Sequence, residues 1–441
     1  MRHFLKRSRT GTMMTHALVK KSIVLLPLLI IARVQENHGL SLDAEMNRRS
    51  AFAAVAAAGG ATTGWFLRTT GDDNSAAQAT TISDYKSINE DDSSLLAYQV
   101  FPDATPTRNP KIELVAEDQL IKSLSKKSGA LWLGEHHNAA RDHLAQVDII
   151  RKLHASKRKG ESSSITTQDD KALAIGLEQV QVQFQPILDA YVDGSISIDE
   201  MRKNVEWNKR WTWPFEGYRG IFETARELKI PLIALNVDSE DMSKVEAGGF
   251  PNLPREKRQK YIIDPEGFAA FAKPGKFKCY VNYVIYPSFV MHERMGLLQY
   301  TMTGEKLDEA MDFKKFFSGR ILWDEAMASR AYRWTKENPN GLLIGLVGAD
   351  HVKYRAGIPG RYDRMAGDTR DCVSIMLNPS LVDTRSPGSI SMEQNTSDPN
   401  KLTLQLIYAK AGVDATTDAR FLDENIGGSL PLADYIVTSK S

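Results

Sequence analysis

Leu131-Trp132-Leu133-Gly134-Glu135-His136-His137 is an apolar run that stops on a glycine and then presents three titratable side chains. An apolar run ended by glycine is how a buried strand hands over to a loop. The pattern recurs. The run 173–177 leads into Glu178, the run 231–235 into Asn236, and the run 342–347, after Gly348, into Asp350 and His351. Continuous rather than alternating apolar runs suit strands buried on both faces, the situation of a parallel sheet. Further strands are expected at 372–377 and 402–408. Helical periodicity falls between the runs, over 139–154, 180–192, 198–205, 215–228, 286–300 and 321–337. Strand–helix alternation of this kind implies βαβ units. The expected fold class is α/β, with a mostly parallel central sheet flanked by helices and a helical insertion or subdomain. Residues 237–285 are less regular, punctuated by proline and glycine.

The chain has 441 residues, of which 42% are hydrophobic and 25% charged, values of a globular protein. Its first 79 residues hold 10 Lys/Arg and 5 Asp/Glu, so the remainder carries 46 basic against 50 acidic side chains. A mildly acidic body argues against nucleic acid as a partner. The two cysteines, Cys279 and Cys372, form no C-x-x-C pair, which excludes a cysteine-based zinc site and a C-x-x-C-H haem attachment. One disulfide and two buried unpaired thiols remain alternative readings.

Residues 1–79 read as a bipartite targeting leader. The first 33 carry seven basic residues and no acidic one, and 23–32 is an apolar run too short to span a bilayer. Arg48-Arg49 then precedes the uncharged stretch 50–67 and the A-x-A site Ala77-Gln78-Ala79, a twin-arginine arrangement. Two export signals in series resemble the layered presequences of algae with complex plastids, and the expected destination is the thylakoid lumen. Secretion, or a membrane anchor through an uncleaved leader, is the alternative. Residues 80–97 read as a linker and 98–441 as one domain. The loops 156–171 and 383–400 read as additions.

If the strands are parallel, Glu135, His137, Glu178, Asn236 and His351 collect at one sheet edge, where open α/β sheets bind ligands. Carboxylates beside imidazoles suit acid–base chemistry or ligation. His136 and His137 are adjacent, so in extended chain they point opposite ways, and Glu135 shares its face with His137. His143 on the next helix can support them. Trp211 and Trp213, in the aromatic turn before Tyr218, can stack on a flat ligand or close the core. Zinc is weakly signalled: no H-E-x-x-H is present, and the ligand types are scattered. No G-x-S-x-G elbow supports a serine hydrolase.

Seven stretches in order resemble the ChaN-like haem-binding uptake family, in the superfamily of the Tiki proteins and erythromycin esterase relatives. They are Leu133-Gly134-Glu135-His136-His137-Asn138 with His143 and Gln146; Gly176-Leu177-Glu178; 185–191; Trp211-Thr212-Trp213-Pro214 with Tyr218; 231–236; 322–328; and Gly348-Ala349-Asp350-His351-Val352 with 357–359. The resemblance implies an α/β fold and a site on Glu135, His137, Glu178 and His351. It implies haem or a related tetrapyrrole as ligand, held without covalent attachment by residues such as His137, His351, Asn236, Trp211, Trp213 and Tyr218, across a homodimer. Asn138 stands where the family has Asp, and Asp350 where it has Gly or Ala, an extra carboxylate able to alter ligand charge or bind a divalent metal. The alternative function is a hydrolase, metal-dependent or not. In it His137 or His351 activates water and Glu135 or Glu178 orients it.

Overall fold

The computed structural model describes residues 95–101, 111–161, 172–273, 275–379, 383, 409–410 and 429–439. The leader, most of the linker, the expected strand 402–408 and the greater part of both added loops lie outside these residues.

Eight strands form one mixed sheet in the order β2-β1-β10-β7-β3-β6-β4-β5. They are β1 (Leu95–Phe101), β2 (Lys111–Val115), β3 (Gly129–Glu135), β4 (Leu173–Gln181), β5 (Leu232–Asn236), β6 (Leu342–Gly348), β7 (Asp371–Leu377) and β10 (Tyr435–Ser439), while β8 (Ala409–Lys410) and β9 (Ser429–Leu430) pair separately. From β10 to β5 every pairing is parallel, and β1 runs antiparallel to both β2 and β10. This is the α/β architecture expected from the apolar runs.

The continuous runs are explained by two cores. Leu131, Leu133, Leu342, Ile344 and Leu346 pack on one face of the sheet, with the helices Ala140–Glu161 and Arg219–Glu227. Ala130, Trp132, Leu343 and Val347 pack on the other, with the helices Phe313–Glu337 and Ile358–Ala366. Successive side chains of a strand point to opposite faces, so a strand covered on both sides needs apolar residues at every position. Gly345 has a specific role: a Cβ there would lie 2.3 Å from the Trp132 ring, so only glycine lets that indole lie across β6.

Four local expectations differ from the structure. The segment 180–192 is not one helix. β4 continues to Gln181, a 3-10 turn follows, and the helix Gln185–Asp193 starts where Pro186 can occupy its first turn and ends at Gly194, with φ 93°. The segment 286–300 is shorter than expected: the helix Tyr286–Arg294 stops before Gly296 (φ 69°) and continues, on its other side, a π turn at Val281–Ile285 and the helix Gly275–Tyr280. The helix after β3 extends to Glu161, into the expected loop 156–171. β1 begins at Leu95, ahead of the expected domain start. Cys372 forms no disulfide. No helix among the described residues is long and apolar enough to cross a membrane.

Candidate functional site

The parallel register brings the carboxyl ends of β3, β6, β4 and β5 side by side; β3, β4 and β5 each deliver a polar group there, and the short helix Ala349–Val352 after β6 delivers His351. Glu135 closes β3 and is buried. Its Oε1 accepts hydrogen bonds from His137 Nδ1 (2.9 Å), Tyr218 OH (2.8 Å) and Gln179 Nε2 (3.2 Å), and its Oε2 accepts one from Gln146 Nε2 (2.7 Å). His143 Nε2 lies 3.7 Å from the same carboxylate. Burial alone would push Glu135 up, but the His143 and His137 rings outweigh it and hold the carboxyl well below the usual carboxylate range.

An ionised carboxylate can only accept, so the His137 ring nitrogen facing it, Nδ1, must carry the proton. The other nitrogen, Nε2, is left at the cavity wall with no hydrogen-bond partner among the described residues. It passes over Gly348, where a Cβ would sit 2.8 Å from it. Trp211 meets the ring edge-on at 5.0 Å between centroids, and Trp213 at 6.0 Å. Burial lowers the His137 pKa, yet Glu135 and Glu178 prevail and raise it.

A second imidazole is held differently. His351 Nε2 lies 3.2 Å from Glu178 Oε1, and its Nδ1 contacts Asp324 Oδ1 in the helix Phe313–Glu337. Glu178 Oε2 accepts the Gly348 N–H at 2.6 Å, and Asp324 Oδ2 accepts Tyr280 OH at 3.0 Å. Burial and Arg320 disfavour the imidazolium, but the two carboxylates raise its pKa overall. Burial also opposes ionisation of Glu178 and Asp324, and His351 lowers both. Asn236 Nδ2 donates to the Glu178 carbonyl at 2.7 Å and so ties β5 to β4. Glu178 sits inside β4, not at its end, beside a register break between Leu177 and Gln181.

These groups wall a cavity of about 230 Å³. His137, Glu178, Asn236 and His351 line its sheet side, and Trp211, Trp213 and Trp323 form aromatic walls. Met242, Met291 and Met302 make it apolar, with His292 and Arg320 on the helical side. Of the residues expected from sequence, Tyr218 is placed differently. It is buried behind Glu135, donating to it, and does not line the cavity, because the Trp211 ring stands nearer. Asp350 lines the cavity but is paired with Lys353 (2.6 Å), which also reaches Asp383 (2.9 Å). His136 faces away: its nitrogens meet Asp142 and Asp383, each at 2.8 Å, and these carboxylates overcome burial to push its pKa up to about 10. No group of three His, Cys, Asp or Glu side chains placed to hold a metal ion occurs among the described residues.

Asp324, Tyr280 and Arg320 join the site without a signal in the sequence pattern. Asp324 is fully buried, a position a carboxylate occupies only when paired, but in sequence it stands beside Glu325 on the helix and looks like half of an ordinary charged pair.

Residues 120–361 match the family described as haem-binding uptake, Tiki superfamily, ChaN. Solved structures similar to this chain include ChaN of Campylobacter jejuni with cofacially bound haem, at 14% identity over 78% of this chain and 98% of that one, with a TM-score of 0.43. A Bacillus cereus protein matches at 13% identity over 77% and 94% (TM-score 0.31). The erythromycin esterase EreC, as a variant in its open conformation, matches at 13% over 64% and 76% (TM-score 0.33). No curated protein matches the sequence significantly.

Proposed function

Since this chain belongs to the haem-binding uptake family of the Tiki superfamily, with ChaN, we propose that it binds haem or a related iron tetrapyrrole reversibly in the strand-end cavity, through His137. The observation that carries this reading is the Glu135–His137 pair. Metal-ligating histidines characteristically donate their second ring nitrogen to a carboxylate, which fixes the tautomer and orients the ring. Glu135 does this for His137, and three further side chains, Gln146, Gln179 and Tyr218, donate to Glu135 in turn.

The residues present fit such a group chemically. An imidazole nitrogen suits iron, the indoles and methionines suit a flat apolar macrocycle, and Arg320 supplies a cation in the wall. Bound there, haem supplies an iron centre able to accept that nitrogen. The chain's own residues orient the imidazole, shield it with Trp211 and Trp213, and hold His351 in place. A volume of about 230 Å³ is below the roughly 300–1,000 Å³ of sites that enclose a drug-sized ligand. The cavity therefore encloses only part of a tetrapyrrole, which supports a second copy completing the enclosure. Titration with haemin tests the reading: a shifted Soret band is expected for the wild type and lost in His137→Ala. Equal binding by wild type and His137→Ala sinks the assignment. Sedimentation of the loaded protein at dimer mass tests the second copy.

A hydrolase is the second reading, favoured by the row Glu178–His351–Asp324, which has more carboxylates than iron ligation requires. His351, protonated at both nitrogens, would donate a proton to a leaving group while Glu178 orients water. A screen of ester and peptide substrates, with and without Zn²⁺, Mn²⁺ or chelator, tests it. Turnover that survives His351→Gln counts against it. For the compartment, the serial leader signals support the thylakoid lumen, and a fluorescent fusion of residues 1–79 appearing outside plastids would overturn that.

A further inference from the structure

Arg320, on the helix Phe313–Glu337, lines the main cavity and also a smaller chamber of about 50 Å³ beside it. The two spaces share Met242, Ser288, His292 and Trp323 as walls. The residue as a whole is half-buried, but its Nε and Nη2 are sealed from solvent and have no hydrogen-bond partner among the described residues. Within the chain the guanidinium faces Tyr280 OH, Asp324 and Asp350, but Tyr280 donates to Asp324, Asp324 is held by His351, and Asp350 pairs with Lys353. Buried donors on a charged group are rarely left unmade, because their desolvation is then uncompensated. Nε and Nη2 therefore have hydrogen bonds left to give beyond those neighbours, which an acceptor from outside the chain would take.

The chamber's chemistry narrows that acceptor. Met242, Met311 and Phe316 give it an apolar lining, which suits an alkyl stem. Its volume of about 50 Å³ suits a short arm and is too small for a macrocycle. Glu246 also lines it, and Asp350 lines the neighbouring cavity, so a doubly charged phosphate would meet two like charges where a single carboxylate meets less repulsion. A guanidinium fork matches a carboxylate with two parallel hydrogen bonds.

We propose that Arg320 and this chamber form a subsite for a carboxylate on a short alkyl arm of the cavity's ligand. Resting on the reading above, that arm is a propionate-type side chain of the tetrapyrrole. The alternative source is a free short-chain carboxylate.

The test compares haemin with its dimethyl ester on the wild type and on Arg320→Lys, which keeps the charge and loses the fork. The wild type should bind the acid roughly 10- to 100-fold more tightly than the ester, the span of one or two charge-assisted hydrogen bonds. Arg320→Lys should erase most of that preference. Equal binding of acid and ester by the wild type, with the Soret shift still dependent on His137, overturns the subsite and leaves the tetrapyrrole reading standing. If neither tetrapyrrole binds, sodium hexanoate decides. A melting temperature raised relative to sodium chloride at equal ionic strength, in the wild type and not in Arg320→Lys, keeps the subsite while the tetrapyrrole reading falls. No response to hexanoate in that case overturns both.

Discussion

His137 and His351 stand at the ends of neighbouring strands, each against a buried carboxylate, and they are wired differently. His351 is bound at both nitrogens, to Asp324 and Glu178. His137 commits one nitrogen to Glu135 and leaves the other at the cavity wall. The same side chain thus does two jobs within one crevice. An imidazole between two carboxylates is a fixed cation that braces the sheet edge. An imidazole with one carboxylate has its tautomer set and keeps one nitrogen open toward the cavity, as the proposed ligand needs.

The contrast is tested most strongly by stability. Asp324→Leu removes one partner of a buried charge pair and also strips Tyr280 OH of its acceptor. Breaking such a pair costs about 3–5 kcal/mol, and urea denaturation should show a loss of that size. His137→Ala should cost about 1 kcal/mol, because its side chain is 24% exposed and Glu135 keeps its Gln146, Gln179 and Tyr218 donors. Equal losses would erase the distinction between brace and ligand.

His136 extends the comparison by one residue. It too is bound at both nitrogens, and its pKa rises from 6.5 to about 10. A raised folded-state pKa stabilises the native protein fully below the unfolded value, and that contribution disappears as pH climbs through the folded value. Stability should therefore decline between pH 6.5 and about 10, by a total of about 5 kcal/mol. His136→Gln should flatten that part of the curve in denaturation at stepped pH. A wild-type profile already flat there would mean that His136 is neutral.

Much of this edge can be read from residue order, and the reason is physical. A strand buried on both faces must be apolar throughout, so its polar ending is conspicuous, as at Glu135, Asn236 and His351. The alternation of side chains also separates His136 from His137 without coordinates. The helical side of the cavity is hidden because helices contribute single side chains from an amphipathic surface, and Arg320 or Met291 looks like any residue of such a surface. Pairing across 27 positions, as between Asp324 and His351, has no local signature. The strands β1, β2 and β10 are hidden in the sequence for a related reason. β1 has an intermittent burial pattern, and β10 makes sense only beside β7, far back in sequence.

Ligand binding separates the two histidines by smaller energies. Glu135→Gln removes the charge that orients His137, and loss of such a supporting partner typically weakens metal affinity about 10- to 100-fold. Haemin titration should show that, while Asn236→Ala, which lies on a backbone tie, should change affinity by less than about threefold.

The smallest effect links the pair directly. Ligation of iron by His137, as proposed, needs its neutral form, and its pKa lies above the ordinary 6.5. Haemin affinity should therefore start to fall above pH 6.5 as acid is added, by about tenfold per pH unit once the ring is mostly protonated. The charge on His351 pushes the His137 pKa down, against the upward pull of Glu135 and Glu178. In His351→Gln that restraint is gone, so the fall in affinity should begin at a higher pH than in the wild type. An unchanged onset would show that the brace and the ligand titrate independently. The same unchanged onset is expected if His351 is neutral in the native protein, in which case Asp324 and Glu178 do not hold it as a cation.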